Sequence, residues 1–578
     1  MTQQQPLVIA GGRLIDGNGG RPLDHATVVV EGNRIRRVAQ GDVDYPPGAS
    51  VIDARGKTIL PGLIDNHVHY RWHCGELLLA HGVTSVRDLG NPQDWTLAQR
   101  DGIEAGKIRG PRIFCNGGGF HGRARAKHHM VPADAEDARR MARRLIGQEV
   151  DFLTVYNGVA PDLAQAIAEE AHAAGLKVTG HLDSSIIPYA AAGVDGVEHA
   201  SGCAEATIRS EAGKQKLSSI KLWLAKFQGP WTLAEREHFP EVVEFLARQG
   251  TFIEPTTVLW GASLGRRERW EQEDYQLLRE PGLAYISANE RLLWLDHYYV
   301  AYGARRRDAP SQDVTIANRY SIFGILPEEE MREGHRRLGE FLLGLHRAGG
   351  KVVVGTDAPA VMPGISLHRE MEFLVEMGFS PMDALQAATK VGAEYLGQAA
   401  ELGTVAEGKL ADLIVVDGDP LLDIAQSRRV AVVIKDGQVL DTSYHRFYTN
   451  PIARPHSQEF YGYPVPSLEE LEPRLAADGE GEVALVLRGT DFFPGSVVTL
   501  GGVSLETQFV SQSELGAILP AHLLRVGTRP VAVVNPPPHE YPDRGGTSNA
   551  LPFMVRFRPS GRWHGPGGSA EVIGKDVT

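Results

Sequence analysis

The sequence of 578 residues predicts an α/β fold: a TIM-type (β/α)8 barrel, a small composite β-domain from both flanks of the barrel, and a C-terminal β-sandwich. Three observations predict this fold. Short apolar runs alternate with helical stretches over the central part of the chain, β-branched runs flank that part on both sides, and short strands with Gly, Pro and Asn turns follow. We assign residues 1–60 and 401–445 to the composite β-domain, 61–400 to the barrel, 446–474 to a linker, 475–560 to the sandwich and 561–578 to a tail.

The composition excludes several classes of protein. With 59 Lys+Arg against 72 Asp+Glu the net charge is −13, which argues against nucleic-acid binding because phosphate backbones need a basic face. The 3 cysteines are too few for a disulfide framework. No apolar run reaches the roughly 18 residues of a membrane span, and no signal peptide is visible. We therefore expect a cytoplasmic protein, with export as the alternative if a signal was removed.

The barrel strands are predicted from apolar runs that alternate with helical periodicity. Helices are expected at 134–147 and at 161–174, the second beginning with a first-turn proline. The eight predicted strands are 59–64, 84–86, 113–115, 152–155, 177–179, 196–197, 251–253 and 351–354.

The stretch 255–350, between strands seven and eight, is too long for a simple crossover. It is either an inserted helical layer with its own aromatic core or a lid over the substrate cleft. Its aromatic residues include Trp260, Trp270, Trp294, Tyr298, Tyr299 and Tyr302.

Strand patterns return after the barrel. Residues 412–417 and 430–434 resemble the N-terminal β-layer in character, so both flanks are expected to form one small domain. Further strands are expected at 483–487, 496–500, 507–510, 515–519 and 529–534.

The residues with the clearest chemistry lie at strand ends. His67 and His69 are two residues apart on strand one, so both imidazoles face the same side and point into the barrel mouth. His181, His199 and Asp357 end strands five, six and eight. Any one of them could be an ordinary polar residue near a helix cap, but the joint pattern predicts a metal site.

These motifs resemble those of the metal-dependent amidohydrolase superfamily, over about residues 7–440. The marks are Pro61-Gly-Leu-Ile-Asp-Asn-His-Val-His69, Gly196-Val-Glu-His199, Gly355-Thr-Asp-Ala358 and the exit segment Leu402-Gly-Thr-Val-Ala-Glu-Gly-Lys-Leu-Ala-Asp-Leu413. Among its branches the sequence is most similar to the prolidase-like and imidazolonepropionase-like proteins.

The resemblance implies roles for these residues. His67, His69, His181 and Asp357 would hold a divalent metal, and a hydroxide on that metal would attack the substrate. Asp357 would also shuttle the proton, and His199 would bind a second metal or assist at the substrate. Zinc is the expected metal, although this donor set suits iron and manganese as well.

One position departs from the family pattern. Binuclear relatives carry a carboxylated lysine on strand four, where this chain has Thr154. A threonine cannot form that bridge, so we expect one metal per chain. The alternative is a binuclear site that includes His199 and is bridged by another residue, such as Cys115.

Weaker candidates for substrate binding are Tyr156, after strand four; His121, in a glycine-rich loop after strand three; and His368, after strand eight. Packing for Tyr156 and a purely flexible loop around His121 are the competing interpretations.

The C-terminal part resembles an immunoglobulin-like fold of the IPT/TIG type over about residues 475–557. Its marks are Leu485-Val-Leu-Arg-Gly-Thr-Asp-Phe-Phe-Pro-Gly495 and Val533-Val-Asn-Pro-Pro537. It carries none of the metal motif, which implies packing, oligomerisation or attachment.

Together these features predict a metal-dependent hydrolase of amide bonds in peptides, N-acyl amino acids or cyclic amides. The alternatives are a heterocycle deaminase on the same site and a non-catalytic scaffold of the same fold. The expected partner is a small-molecule or peptide substrate, and the resemblance also implies a homo-oligomer.

Overall fold

The structure is a computed structural model that describes residues 5–122, 129–219, 225–261, 264–286, 291, 294, 328–452, 465–492, 495–511, 513–535 and 546–557. The chain forms two compact units, whose described parts lie within 5–452 and 465–557. The strands of the first unit are β1 Leu7–Leu14, β2 Leu23–Glu31, β3 Arg34–Gln40, β4 Ser50–Asp53, β5 Lys57–Pro61, β6 Leu63–Val68, β7 Val83–Asp88, β8 Arg112–Cys115, β9 Phe152–Val155, β10 Lys177–Gly180, β11 Gly196–Val197, β12 Phe252–Ile253, β13 Lys351–Val352, β14 Leu413–Asp417, β15 Val430–Lys435 and β16 Gln438–Val439.

Helices separate most of the central strands. They are α1 Gly75–Ala80, α2 Gln93–Glu104, α3 Ala135–Ile146, α4 Pro161–Ala173, α5 Ile187–Ala191, α6 Cys203–Thr207, α7 Glu211–Ser219, α8 Ala225–Leu233, α9 Phe239–Gln249, α10 Arg267–Leu278, α11 Glu328–Arg347, α12 Ile365–Glu376, α13 Pro381–Ala387 and α14 Lys390–Tyr395. The two helices predicted from periodicity are confirmed as α3 and α4. The Asp134 side chain caps α3 by accepting the Asp137 N–H, and Pro161 begins α4.

One sheet contains strands from both flanks of the central region. Its order is β16-β15-β14-β5-β1-β2-β3, with β4 paired to β1. The join between the flanks is the antiparallel pair of β14 and β5, in which Val415 lies opposite Ile59. Both residues are fully buried in the core of this sheet. The burial of β-branched side chains from both flanks therefore brings two segments together that lie about 350 residues apart in the sequence.

The central strands form two parallel sheets. One contains β6, β7 and β8, and the other runs in the order β13-β12-β11-β10-β9. Backbone hydrogen bonds also join the edges of the two sheets. The Asp357 N–H donates to the His67 carbonyl at 2.8 Å, and the Asp151 N–H donates to the Cys115 carbonyl at 2.9 Å. Since parallel strands place their carboxyl ends on one side, the residues that follow them share one region.

Each of the eight predicted strands overlaps an observed one, but the prediction of a single strand at 59–64 is wrong. Residues up to Pro61 pair with β14, and residues from Leu63 pair with β7 in the parallel sheet. Gly62 separates the two strands. A Cβ atom there would lie only 2.2 Å from the Thr84 hydroxyl oxygen, so the crossing between the sheets has no space for a side chain.

The described parts of the insertion are largely helical and bury their tryptophans. Trp260, Trp270 and Trp294 are each at most 3% exposed. The Arg369 guanidinium on α12 lies 4.7 Å from the centre of the Trp270 ring and pairs with the buried Asp274 of α10 at 2.7 Å. These contacts fit a packed helical layer, and a lid role stays a prediction. Tyr298, Tyr299 and Tyr302 lie outside the described residues.

The second unit consists of antiparallel-rich β-sheets around a core of its own. Its strands are β17 Ser467–Glu472, β18 Leu475–Ala477, β19 Val483–Thr490, β20 Val497–Leu500, β21 Val503–Ser504, β22 Glu506–Ser511, β23 Glu514–Leu519, β24 Gly527–Asn535, β25 Gly546–Thr547 and β26 Leu551–Arg556. One sheet has the order β17-β19-β23-β22 and the other β18-β26-β24-β20-β21, with β25 paired to β24. Leu485 and Leu487 alternate with exposed or half-buried residues along β19 and enter the core. The five strands predicted here are confirmed.

Among the described residues, no helix has the length and apolar character needed to cross a membrane.

The join between the two flanks gives a stability prediction. Val415→Ala removes two buried methyl groups from β14 and should lower the free energy of unfolding by about 2 kcal/mol. Val51→Ala is the matched control, because Val51 on β4 is 49% exposed, and it should change stability by less than about 0.5 kcal/mol. Urea unfolding of both variants measures the difference, and equal effects would contradict the role given to this join.

Candidate metal centre

Four histidines and an aspartate meet beyond the carboxyl ends of the parallel strands. His67 lies in β6 and His69 follows it, while His181, His199 and Asp357 follow β10, β11 and β13. The His199 ring centre lies 4.7 Å from that of His67 and 5.0 Å from that of His181. The structure therefore places all five predicted site residues in one cluster, which we call the histidine cluster.

Asp357 contacts both histidines of the first strand. Its Oδ1 atom lies 3.0 Å from Nε2 of His69 and 3.5 Å from Nε2 of His67. One donor atom from each of these three residues lies within 4.8 Å of the other two, a spacing that can hold one metal ion. The His67 and Asp357 side chains are almost fully buried, whereas the His69 side chain is 38% exposed. The group is thus buried at His67 and Asp357 and open to solvent at His69.

The second ring nitrogen of three histidines is engaged away from this group. Nδ1 of His69 donates to the Leu89 carbonyl at 2.6 Å, and Nδ1 of His181 lies 2.9 Å from Oδ1 of Asn157. Nδ1 of His67 lies 3.0 Å from Oε2 of Glu254. A hydrogen bond at Nδ1 fixes the tautomer and leaves the lone pair of Nε2 for a metal, which is the usual arrangement of metal-binding histidines.

Two buried glutamates line the buried side of the site. Neither of them was assigned to the site from the sequence. Glu254 directly follows β12, and Glu198 directly precedes His199; both are fully buried. Oε2 of Glu198 lies 3.3 Å from Nδ1 of His67, close to the Glu254 carboxylate. The Thr256 N–H and hydroxyl both donate to Glu254, at 2.7 and 2.6 Å. His67, His199 and Glu254 form a second group with the spacing of metal donors.

The balance of charge around His67 fits a bound cation. Three carboxylates surround the ring, and one of them, Glu198, pairs with the Arg87 guanidinium. Burial alone would lower the pKa of His67, but hydrogen bonds to Glu198 and Glu254 and the charge of Asp357 raise it well above the usual value. The protein thus favours a positive charge at this point, because buried negative charge is costly unless it is balanced. A divalent cation would supply that balance.

His181, His199 and Asp357 have the protonation states that metal binding needs. Burial lowers the pKa of His181 to about 4 and that of His199 well below its usual value, so both rings are neutral near pH 7. Burial would raise the pKa of Asp357, but the hydrogen bond from His69 and the charge of His67 outweigh it and hold that pKa far below the usual range. Neutral imidazole and ionised carboxylate are the ligand forms.

Backbone strain is concentrated at the same site. The non-glycine residues His199, Ala200, Thr256 and Asp357 all have φ between 47° and 59°, a left-handed conformation that L-residues rarely adopt. Asp65 stabilises one of these turns, because its carboxylate accepts the Thr356 N–H at 3.1 Å and the Thr356 hydroxyl at 2.7 Å. The surrounding contacts therefore hold Asp357 in a conformation that the local sequence alone would not favour.

Tyr156 and His121 lie in a stack of rings that reaches the cluster. The His121 ring is parallel to that of Tyr156 at 4.2 Å between centres, and Tyr156 lies 5.6 Å from His181. Gly90 allows this approach, because a Cβ there would lie 3.2 Å from the Tyr156 hydroxyl and 3.4 Å from Nδ1 of His69. Both residues are thus placed beside the candidate ligands, and their contact with substrate stays a prediction.

His368 lies in a different environment. It is fully buried on α12, with Nδ1 2.9 Å from the Ser427 hydroxyl and Nε2 2.9 Å from the His81 carbonyl. Both ring nitrogens are therefore engaged by groups outside the histidine cluster, which corresponds to a structural role. The structure does not bring His368 together with the other predicted residues.

Thr154 occupies the strand-four position at which binuclear relatives carry the bridging lysine. Thr154 is buried in β9, and its hydroxyl accepts a hydrogen bond from the Asn116 side chain at 2.8 Å. Cys115 ends β8, and burial raises the pKa of its thiol well above the usual value. Neither metal-donor group that contains His67 includes Cys115, within the part of the chain that the structure describes.

A signal for Glu254 was present in the sequence. It directly follows strand seven, the same kind of position that marks His181 and Asp357. Glu198 was visible inside the Gly196-Val-Glu-His199 motif, but only the folded chain shows that its carboxylate turns toward His67. Arg87 had no such signal, because it lies within an otherwise ordinary buried strand.

Known proteins resemble the chain in sequence and in fold. The model of the amidohydrolase family matches residues 58–440. An N-acyl-D-aspartate deacylase of Alcaligenes xylosoxydans xylosoxydans is 44% identical over 88 residues, which are 14% of this chain and 17% of that relative's length. A Xaa-Pro dipeptidase with bound methionine in its active site has a TM-score of 0.53 and 21% identity, over 76% of this chain and 100% of that chain. Molinate hydrolase has a TM-score of 0.53 and 20% identity, over 79% and 99%.

The two solved structures show similarity of fold, and the deacylase covers too little of its own length to define an activity. The family match extends over most of the chain and includes every residue of the histidine cluster. On this evidence the chain belongs to the amidohydrolase family.

Proposed function

We propose that the protein is a metal-dependent hydrolase of amide (C–N) bonds in peptides, N-acyl amino acids or cyclic amides. The observation that carries this proposal is the group of His67, His69 and Asp357, with His181 and His199 beside it, at the carboxyl ends of the strands. Family membership supports it, since amidohydrolases are generally metal-dependent. The names of a deacylase and a dipeptidase among the similar proteins agree with an amide substrate.

His67, His69, His181 and Asp357 would hold one divalent metal ion, for which zinc is favoured over iron and manganese. The ion would lower the pKa of a water molecule and polarise the substrate carbonyl. One ion is proposed because Thr154 stands where binuclear relatives have the bridging lysine. A second ion would need His199 and a different bridging group.

The side chains of the chain itself would move the proton and orient the substrate. Asp357 is ionised and buried beside the open His69 side of the site, so Oδ1 could accept a proton from water and return it to the leaving nitrogen. His199 could donate a hydrogen bond to the developing oxyanion. Tyr156 and His121 would line the substrate cleft through the ring stack next to His181.

The wider organisation is part of the proposal. The two parallel sheets would close into a (β/α)8 barrel, since backbone hydrogen bonds join both pairs of edges. The composite sheet would form a separate small domain, and residues 475–557 an IPT/TIG-type sandwich used for packing, oligomerisation or attachment. We also propose a homo-oligomer with a small-molecule or peptide substrate.

Substrate class can be tested by a mass-resolved screen of the metal-loaded protein against dipeptides, N-acyl amino acids, cyclic amides and aminated heterocycles. We expect one amide class to be split into two products, or opened by one water, and a chelator to abolish the reaction. Release of ammonia from a heterocycle would instead assign the chain as a deaminase. A lack of turnover by the metal-loaded protein on all four classes would favour a non-catalytic scaffold.

Metal content can be tested by elemental analysis after dialysis. The native protein should contain about one divalent ion per chain. His69→Ala should lose it, because the variant removes one of the three clustered donors. His172→Ala is the control at similar exposure, since His172 pairs with Asp195 at 2.9 Å and lies outside the cluster. Two ions per chain, with activity rising as the second binds, would overturn the mononuclear site.

The role of Asp357 can be tested with Asp357→Asn, which removes the proton acceptor while preserving size. Turnover should fall by about 10²–10⁴-fold, the range for loss of a general acid–base group. Folding and much of the metal should remain. Asp134→Asn is the control, because asparagine also caps helices well. Near-native turnover in Asp357→Asn would exclude it as the proton shuttle.

A further inference from the structure

A buried ion pair lies directly beneath the histidine cluster. Arg87, near the carboxyl end of β7, donates from Nη2 to Oε1 of Glu198. The Arg87 side chain is 2% exposed and that of Glu198 is 0% exposed. The Thr179 hydroxyl also donates to Oε1 of Glu198. This oxygen therefore receives hydrogen bonds from both a guanidinium and a hydroxyl in the interior of the protein.

The guanidinium is fixed by more than its carboxylate partner. Nε of Arg87 donates to the Asn66 carbonyl at 2.8 Å. Its guanidinium carbon lies 4.0 Å from the centre of the Tyr395 ring and 4.9 Å from that of Phe152. These contacts leave the side chain little rotational freedom, because the fork geometry and both rings fix its plane.

Both hydrogen bonds of Arg87 end next to His67. The bond from Nε holds the carbonyl of Asn66, the residue that precedes His67. The bond from Nη2 holds Glu198, whose other oxygen, Oε2, lies 3.3 Å from Nδ1 of His67. A single guanidinium thus fixes the backbone before His67 and, through Glu198, the ring of His67.

Stability alone gives a weak reason for such a pair. Removing two charges from water costs about as much as their attraction returns, and apolar replacements of buried ion pairs are often neutral or stabilising. A carboxylate that accepts a hydrogen bond from the ring nitrogen not bound to the metal has a more specific effect than stabilisation. It fixes the tautomer and the orientation of the ring, and it raises the basicity of the nitrogen that binds the metal.

We propose that Arg87 and Glu198 are positioning residues for the metal centre. The pair holds the His67 ring so that Nε2 faces Asp357 and the metal, and it thereby sets the affinity for the metal. The inference rests on the proposed function, in that it assumes a divalent ion at the histidine cluster. Glu254 contacts the same nitrogen from the carboxyl end of the neighbouring strand β12, but it is held by Thr256 and does not depend on Arg87.

The experiment compares metal affinity with stability in three variants of the full chain: Glu198→Gln, Arg87→Met and the double variant. Zinc affinity is measured by competition with a chromogenic chelator, and thermal unfolding is measured with excess chelator present. Glu76→Gln is the matched control, because Glu76 is also buried and paired with an arginine, Arg109, at 2.9 Å, outside the cluster.

Each variant has a distinct expected result. Glu198→Gln should weaken zinc binding by about 10–100-fold, the usual effect of losing an outer partner of a ligand. Arg87→Met should weaken it similarly and also lower the melting temperature of the metal-free protein, because the Glu198 carboxylate is left buried without its cation. The double variant should recover the melting temperature and keep the weak zinc binding. The control should bind zinc like the native protein.

If the native protein binds metal, two results would overturn the proposal. One is native zinc affinity in both single variants, and the other is zinc affinity in the double variant that recovers together with stability, as a purely structural pair would require. Native protein that binds no zinc, iron or manganese would overturn the proposed function as well. If the native protein binds metal and all three variants bind it equally tightly, only the positioning role is refuted.

Discussion

The placement of negative charge around the His67 imidazole is the constraint on which the rest of the site depends. The Asp357 carboxylate faces Nε2 of the ring, and the Glu198 and Glu254 carboxylates face Nδ1. All three carboxylates are buried in surroundings that exclude most water. Such a concentration of carboxylates is unfavourable unless hydrogen bonds and cations compensate it. The protein supplies Arg87 for one carboxylate and hydroxyl and amide donors for another. A divalent ion on the Nε2 side would complete this balance.

The fold creates this site by directing the carboxyl ends of parallel strands to one region. Within the histidine cluster only His67 lies inside a strand, and the other candidate ligands lie on the turns that follow their strands. Several of these turns have left-handed backbone at non-glycine residues, including His199 and Asp357. Neighbouring strands hold these conformations, together with hydrogen bonds such as those that Thr356 donates to Asp65. The composite sheet, in which β14 pairs with β5, fixes the start of the strand that carries His67.

Much of this could be predicted from local pattern. The eight strand positions, helices α3 and α4, the strands of the C-terminal unit and the cluster of His67, His69, His181, His199 and Asp357 all follow from periodicity and from residues at strand ends. Predictions failed where a long-range contact decides the outcome. The boundary at Gly62 depends on the Thr84 hydroxyl of another strand, and His368 depends on partners at residues 81 and 427 that no local pattern indicates.

The sequence by itself determined the alternation of strands and helices and the ligand types at the strand ends, because both follow from short-range periodicity. Only the tertiary structure decided which carboxylates meet which imidazole nitrogens. Glu198 and Glu254 follow two different strands and Arg87 lies in a third. Their convergence on His67 depends on strand order, side-chain rotamers and the absence of space at Gly355, where a Cβ would lie 2.6 Å from Cβ of His67. These are properties of packing between segments far apart in the chain, and no pattern within one segment encodes them.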